Sequence, residues 1–393
     1  MHKGGADVLS AKKQDYLIDV ANDATYQNQS DEYKKSYAEW RANPHNSFGF
    51  QFIHDTREHS YIDGEGFVPH KAEVAERISM LKCCSLLGIV MIIMLVIDVA
   101  NYMFVNKFAP DTTGTIIYFS QTKGTYSHYG LGMTVVMGCF YVAKFLMPAL
   151  VFKLVTKIPN KVIFANSQGY EKMRGTALVI MMVMIVIGRI GQYAISHLFG
   201  LVHIDGIYSI MVYSDDPATM MTSFIFFAIA YPIVQEIFFR GVVLQTFRQF
   251  GDTFAIIITA LVNALCFYDA TYFLFVVCCT AVLGFFTIRT GSVMTAVYMS
   301  ICSHIINYML SYIHIYNMTY SVVIEVVVCA AIVAISLILY SRLTSFGDWS
   351  FNIEHDNSYM AMSKRIKSFI ATNSVAAWIA AVLVAVFVCS RVI

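Results

Sequence analysis

Seven ionisable side chains lie inside long apolar runs, where a charge is costly and therefore suggests a functional role. They are Asp98, Lys144, Arg189, Glu236, Arg240, His304 and Glu325. Two groups have a spacing that could support chemistry. Glu236 and Arg240 are four residues apart, so they share one helical face, and Gln235 precedes the glutamate. His304 and Asn307 would share a face of a second helix, where the imidazole could bind a metal or a neighbouring helix.

Each of these groups also has a structural interpretation. Glu236 and Arg240 could form an ion pair that only holds a helix end, with a net stability near zero. Arg189 lies in the middle of its apolar run, and we expect it to be a buried partner for a carboxylate such as Glu236. His304 could simply hydrogen-bond a neighbouring helix. None of these residues alone is therefore sufficient evidence for a functional site.

The other three charges have simpler expected positions. Asp98 lies near the outer end of its apolar run, where we expect it to face water. Lys144 is long enough to extend its ammonium group to the membrane surface. Glu325 lies one turn into its run and is expected to reach the interface. A carrier, with Asp98, Lys144 and Arg189 along one path, remains an alternative, although no broken helices recur in the two halves of the chain.

The elements that must position these groups are membrane helices. Of the 393 residues, 57% are apolar and 13% charged, and the mean hydropathy is +0.60. This composition excludes an ordinary soluble enzyme and a disordered chain, and predicts an all-α polytopic membrane protein. The net charge of +1 gives no electrostatic basis for binding nucleic acid. Nine cysteines, without a CxxC pair, do not support a disulfide scaffold.

The apolar runs predict about eight to nine transmembrane helices, two of them marginal in length. They cover Cys83–Phe104, Tyr129–Phe152, Thr176–Leu198, Thr222–Phe239, Phe254–Phe267, Ala270–Ile288, Ser292–Tyr312, Ser321–Tyr340 and Val375–Ser390. Lys and Arg concentrate in alternate loops, which predicts a cytoplasmic N-terminus. We divide the chain into a polar cytoplasmic region (1–82), three helices (83–219), a core (220–312) and C-terminal helices (313–393).

The polar N-terminal region has no visible signal peptide and carries charges of both signs. Tyr33, Tyr37 and Trp40 recur at helical spacing, which predicts a short amphipathic helix. The following stretch, Asn43–His70, is rich in Gly and Pro and is expected to be loop. We expect this region to offer a contact surface to a cytoplasmic partner.

Two stretches of the core carry a resemblance to a known family. They are QEIFFRG, from Gln235, and GFFTIRTGSVMTAVYMSICSHIINYM, which begins at Gly284. Together they resemble the CPBP family of intramembrane metalloproteases, which includes CAAX prenyl endopeptidases and bacteriocin self-immunity proteins. The resemblance covers about residues 220–312. It implies an intramembrane hydrolase fold in a bacterial plasma membrane.

The resemblance implies catalytic positions at Gln235, Glu236 and Arg240 in the first stretch. Members of the family have a Glu as general base or water ligand where this chain has Gln235. The family's Phe-xxx-His element aligns with Asn263 in the Phe position and Phe267 in the His position. Two groups that the chemistry requires are therefore replaced.

In the last stretch the resemblance implies a site at His304 and Asn307, with His304 as the metal ligand. The Asn expected four residues after the histidine is Tyr308, and Asn307 lies one position earlier. Glutamine cannot accept a proton and phenylalanine cannot bind a metal. We therefore expect an impaired protease homologue without a cofactor, whose remaining polar cavity binds a membrane protein, a lipid or a peptide tail.

The main alternative is an active intramembrane metallo-endopeptidase of the CAAX-processing or self-immunity type. Such an enzyme would bind zinc through His304 and use Glu236 as the base. Asp269 or a tyrosine such as Tyr268 would then have to supply a missing group. A membrane carrier is the third interpretation.

Overall fold

Apolar runs become helices because a helix satisfies every backbone polar group within one segment, as a bilayer requires. The computed structural model describes residues 17–19, 26, 28–51, 53–55, 61–62, 66–67, 71–108, 131–167, 171–200, 216–268, 270–316, 320–344 and 358–391. Its helices are α1 Asp31–Ala42, α2 Lys71–Phe108, α3 Leu131–Thr156, α4 Asn160–Ile163, α5 Glu171–Gly200, α6 Pro217–Phe250, α7 Asp252–Leu265, α8 Ala270–Thr290, α9 Val293–Tyr316, α10 Ser321–Thr344, α11 Met362–Ile370 and α12 Asn373–Arg391.

Four very short strands lie in the N-terminal region, within the stretch that was expected to be loop and just before it. β1 (Leu17–Asp19) pairs antiparallel with β2 (Ile53–Asp55), and β3 (Tyr61–Ile62) pairs antiparallel with β4 (Gly66–Phe67).

Among the described residues, seven helices are long and apolar enough to cross a membrane. They lie in α2, α3, α5, α6, α8, α9 and α10, and α11 with α12 forms an eighth if that pair, bent by 68°, is one span. This confirms the polytopic all-α fold, with seven or eight spans rather than nine. The predicted fifth span is α7, whose 14 residues reach only about 21 Å, too short for a hydrocarbon core of about 30 Å.

Helix α6 is longer than its predicted span and is not a regular α-helix. Two π turns, Ile225–Ala230 and Ile237–Val243, flank an α segment, Tyr231–Glu236. Pro232 gives a reason for the first π turn, because its ring would clash with the carbonyl four residues earlier in a regular α-helix. The π turns therefore bracket the segment that carries the candidate site.

Helix α6 lies at the centre of an aromatic core. The Phe145 ring of α3 lies 5.3 Å from Tyr231 and 5.8 Å from Phe239, centroid to centroid. At Gly241 an added Cβ would come within 2.8 Å of the Ile163 carbonyl oxygen, so α4 approaches the α6 backbone closely. Helices α7, α8 and α9 complete the surroundings of α6.

The predicted amphipathic helix near the N-terminus is confirmed as α1. Ser30 caps it by accepting a hydrogen bond from the Tyr33 backbone N–H, and acidic residues occupy its first turn. Its aromatic face, with Tyr33, Tyr37 and Trp40, is buried within the chain. That face therefore packs against the rest of the chain.

Candidate functional site

The candidate site is built by α6, α7, α8 and α9, which bring together residues far apart in sequence. Gln235 and Glu236 end the α segment between the two π turns of α6, and Arg240 lies inside the second π turn. All three side chains are buried. The predicted grouping of these residues on one helix is therefore seen in the structure.

Gln235 makes a direct contact with α7. Its Nε2 donates to Oδ1 of Asn263 over 2.9 Å, and both side chains are buried. The other polar atoms of the pair, Gln235 Oε1 and Asn263 Nδ2, have no hydrogen-bond partner among the described residues. The position that the resemblance assigns to a general base is thus a neutral amide, with one unused acceptor and a neighbouring unused donor.

Glu236 and Arg240 form an ion pair within α6. Arg240 Nε lies 3.2 Å from Glu236 Oε2, and both side chains are fully buried. Arg240 also donates from Nη2 to the Thr280 carbonyl oxygen of α8 over 2.7 Å. The Ser300 hydroxyl of α9 lies beside the Glu236 carboxylate. The pair therefore joins α6 to α8, and the arginine compensates the glutamate charge.

His304 lies in α9, at the level of the α segment of α6. Its Nδ1 lies 2.8 Å from the Ser300 carbonyl oxygen, and its ring is 5.4 Å from that of Tyr231. A proton on Nδ1 would satisfy that carbonyl and leave Nε2 as an acceptor. Asn307 donates to Ser303 Oγ over 3.4 Å, a contact within α9 itself.

Two further positions where this chain departs from the family pattern, Phe267 and Tyr308, have apolar or distant contacts. The Phe267 ring packs against Tyr272, with 6.1 Å between centroids. Tyr308 is buried against Phe224 near the start of α6, and its hydroxyl is 3.5 Å from the Met220 carbonyl oxygen. Asp269, considered as a substitute ligand, lies outside the described residues.

A catalytic zinc ion requires three protein ligands and an open position. Among the described residues, no group of three or more His, Cys, Asp or Glu side chains could hold a metal ion. Near His304 the carboxylate of Glu236 is paired with Arg240, while Gln235 and Asn263 are bonded to each other. This donor set does not fit a catalytic zinc site.

A second buried polar group, which the sequence interpretation missed, lies beside the site. Lys144 Nζ of α3 is 2.8 Å from Asp98 Oδ2 of α2, with both side chains 3% exposed or less. Tyr268 donates its hydroxyl to Asp98 over 2.9 Å, and Lys144 donates to the Cys266 carbonyl oxygen over 3.3 Å. The expectations that Asp98 faces water and that Lys144 extends to the surface are therefore wrong.

This ion pair holds the turn between α7 and α8. Tyr268 has a left-handed backbone, with φ at +54°, which costs a bulky residue about 1–2 kcal/mol. Its hydrogen bond to Asp98 holds it in that conformation. The turn that contains Phe267, in place of the family's histidine, is thus anchored by charges from α2 and α3.

Arg189 was expected to be a buried partner for a carboxylate such as Glu236. It does pair with a buried carboxylate, but that of Glu325 of α10, whose Oε1 lies 3.6 Å from Arg189 Nε. Asp98 and Lys144 form a separate pair between α2 and α3. These charges therefore neutralise one another in two groups and do not line one common path, which weakens the carrier interpretation.

The apolar helices define an integral membrane protein whose core contains a buried polar centre. Residues 217–310, about a quarter of the chain, match the family described as Rce1-like, type II CAAX prenyl endopeptidase Rce1-like. The match includes α6 to α9 and every predicted site residue, and it confirms the family resemblance over this segment. No curated protein and no solved structure matches the chain.

Proposed function

We propose that this chain is a protease homologue of the CPBP type that has kept the membrane fold and lost hydrolysis. In this proposal its polar cleft binds a segment of a membrane protein, a peptide tail or a lipid, and the protein acts by binding or regulation. The observation that carries the proposal is the hydrogen bond between Gln235 and Asn263. An amide bonded to an amide occupies the position where the reaction needs a proton acceptor.

The chemistry of the neighbouring groups supports impairment. Loss of a general base alone costs about 10²–10⁴-fold in rate. Glu236 is a poor substitute, because its carboxylate is held by Arg240 inside the same helix. Phe267 offers no lone pair at the second ligand position. The imidazole of His304 cannot replace both the missing general base and the missing metal ligand.

Binding would use the polar atoms that the site leaves unpaired. Gln235 Oε1 is an acceptor and Asn263 Nδ2 is a donor, both buried, and burial without a partner costs free energy. A ligand with one donor and one acceptor would satisfy both. The Nε2 atom of His304 offers a further acceptor on α9.

Zinc analysis of the purified, full-length protein tests this proposal. The parent chain is expected to contain well below one zinc per chain, and the double variant Gln235→Glu with Phe267→His is expected to gain zinc. The matched control is Phe275→His, which adds a histidine on α8. If the parent holds about one zinc per chain and His304→Ala removes it, the proposal fails.

The second candidate is an active metallo-endopeptidase, with Glu236 as base and His304 as ligand. It is favoured by the contact of His304 Nδ1 with the Ser300 carbonyl, which fixes the ring as partners of metal-bound histidines do. A chelator-sensitive cleavage by the parent chain would favour this candidate.

The cellular setting is part of the proposal. The chain would lie in a bacterial plasma membrane with its N-terminus in the cytoplasm, because Lys and Arg concentrate in alternate loops. Envelope regulation and self-protection against a bacteriocin are the functions that the resemblance suggests. A partner that copurifies with the parent and is lost in Asn263→Leu would support binding at this cleft.

A further inference from the structure

The carboxyl-terminal end of α6 carries three long polar side chains that are buried. They are Gln245, Arg248 and Gln249. Arg248 is paired with Asp252 of α7, and further partners of all three come from residues 26 and 28–51, which we call the N-terminal clasp. Buried polar groups require partners, so these contacts are specific and costly to lose.

Two tyrosines of α1 hold Gln245. Tyr33 donates its hydroxyl to Gln245 Oε1 over 2.7 Å, and Tyr37 donates to the Gln245 carbonyl oxygen over 2.8 Å. Arg248 Nη1 donates to the Tyr33 hydroxyl over 3.1 Å. Burial raises the pKa of both tyrosines, so their hydroxyls stay protonated and can donate.

The loop after α1 holds Gln249. The Phe50 N–H donates to Gln249 Oε1 over 2.7 Å, and Gln249 Nε2 donates to the Phe48 carbonyl oxygen over 2.9 Å. Cys83 of α2 is fully buried here, with its sulfur 3.6 Å from the same Phe48 oxygen. The accessibility of Cys83 therefore reports whether the clasp is docked.

The clasp is also anchored on the α3 end and on the α8–α9 turn. Trp40 Nε1 donates to the Thr156 carbonyl oxygen over 2.8 Å. Gly291 has φ at +60°, and a Cβ there would lie 2.2 Å from the Asn28 carbonyl oxygen. The clasp therefore contacts the end of α3 and the α8–α9 turn as well as α6.

Gln245 connects the clasp to the site. Its Nε2 donates to the Arg240 carbonyl oxygen over 3.1 Å, inside the π turn Ile237–Val243. That turn presents the Arg240 side chain to Glu236. A continuous series of contacts thus runs from Tyr33 through Gln245 to the ion pair.

We propose that the N-terminal clasp controls the conformation of the candidate site, with Gln245 as the positioning residue that links its docking to the π turn of α6. A docked clasp holds the Arg240 carbonyl and keeps the ion pair in place. A released clasp frees Gln245 and loosens the turn. The inference does not depend on whether the site binds or hydrolyses its ligand.

The test uses the full chain in detergent micelles, with two readouts. Alkylation of Cys83, followed by mass spectrometry, reports release of the clasp, and hydrogen exchange of residues 237–244 reports the π turn. In Tyr33→Phe with Tyr37→Phe, the loss of three buried hydrogen bonds should raise the alkylation rate at least about tenfold. Protection of residues 237–244 should fall by a similar factor.

Two matched variants separate docking from coupling. Gln249→Ala removes the hydrogen bonds to the loop at Phe48 and Phe50 and a contact with the Cys83 sulfur, while Tyr33 and Tyr37 still hold α1 on Gln245. Alkylation of Cys83 should therefore rise while exchange across residues 237–244 stays as in the parent. Gln245→Glu keeps an acceptor for Tyr33 but cannot donate to Arg240, so exchange should rise while Cys83 stays protected. A clasp with only a structural role would not separate Cys83 alkylation from exchange of residues 237–244 in this way.

Alkylation of the buried Cys266 checks that each variant is folded. If Cys266 reacts in the double tyrosine variant, that variant is not folded. The single variant Tyr37→Phe is then measured in its place, with the same two readouts. In the tyrosine variants, which break the contacts with Gln245, exposure of Cys83 with unchanged exchange across residues 237–244 would overturn the coupling. So would unchanged exchange in Gln245→Glu.

Discussion

Replacing Lys144 by Met would leave the buried Asp98 carboxylate without its countercharge. The two charged atoms are 2.8 Å apart, and at an effective dielectric constant of about 20 their attraction is about 6 kcal/mol. Desolvation offsets much of this in the parent, but the variant keeps the desolvated carboxylate and loses the attraction. We therefore expect the free energy of unfolding to fall by about 3–5 kcal/mol.

The assay is equilibrium unfolding in mixed micelles with increasing SDS, followed by fluorescence. The double variant Asp98→Asn with Lys144→Met removes both charges and should recover to within about 2 kcal/mol of the parent, because paired removal is often nearly neutral. Lys153→Met, on the same helix and partly exposed, is the control and should change stability by about 0.5 kcal/mol or less. If Lys144→Met is as stable as this control, the pair does not anchor the turn.

Three further predictions concern other features of the fold. Arg189→Met should lower the free energy of unfolding by about 1–3 kcal/mol, and adding Glu325→Gln should recover part of the loss in the same SDS assay. Gly291→Ala should destabilise by about 1–2 kcal/mol or more, because its φ is +60° and the new Cβ meets the clasp, and a thermal melt would show it. Asp216 caps α6 by accepting from Thr219, which lowers its pKa, so the first turn should open as pH falls below about 4 and remain closed above it. Hydrogen exchange at low pH would show that opening, and protection that does not depend on pH would contradict it.

Local patterns were sufficient to predict much of the site. The four-residue spacing of Glu236 and Arg240 correctly predicted an ion pair on one helical face. The aromatic spacing around Tyr33 predicted α1, and the apolar runs predicted most of the membrane helices. These features depend on neighbours within one turn, so the sequence contains the information directly.

Pairing between helices could not be predicted in the same way. Asp98 pairs with Lys144 and Arg189 with Glu325, and the partners in each pair are far apart in the sequence. Only helix packing decides which buried charges meet. The available signal was that opposite charges deep in separate apolar runs need partners, which identifies the candidates without assigning the pairs.

The length of α6 was underestimated for a related reason. Its last turns contain Gln245, Arg248 and Gln249, which an apolar-run criterion treats as the end of a span. These side chains are buried because the N-terminal clasp supplies their hydrogen bonds. Tyr33 and Gln245 are 212 residues apart in the sequence, so their contact leaves no local pattern.

A cleavage assay with the unmodified chain distinguishes an impaired homologue from an active protease. The purified protein would be incubated in micelles with added zinc and a prenylated CAAX peptide, and the products would be followed by mass spectrometry. An impaired site should give no cleavage above a no-protein control, and cleavage should appear only after Gln235→Glu and Phe267→His are combined. Turnover by the unmodified chain, abolished by a chelator, would show that hydrolysis has been kept.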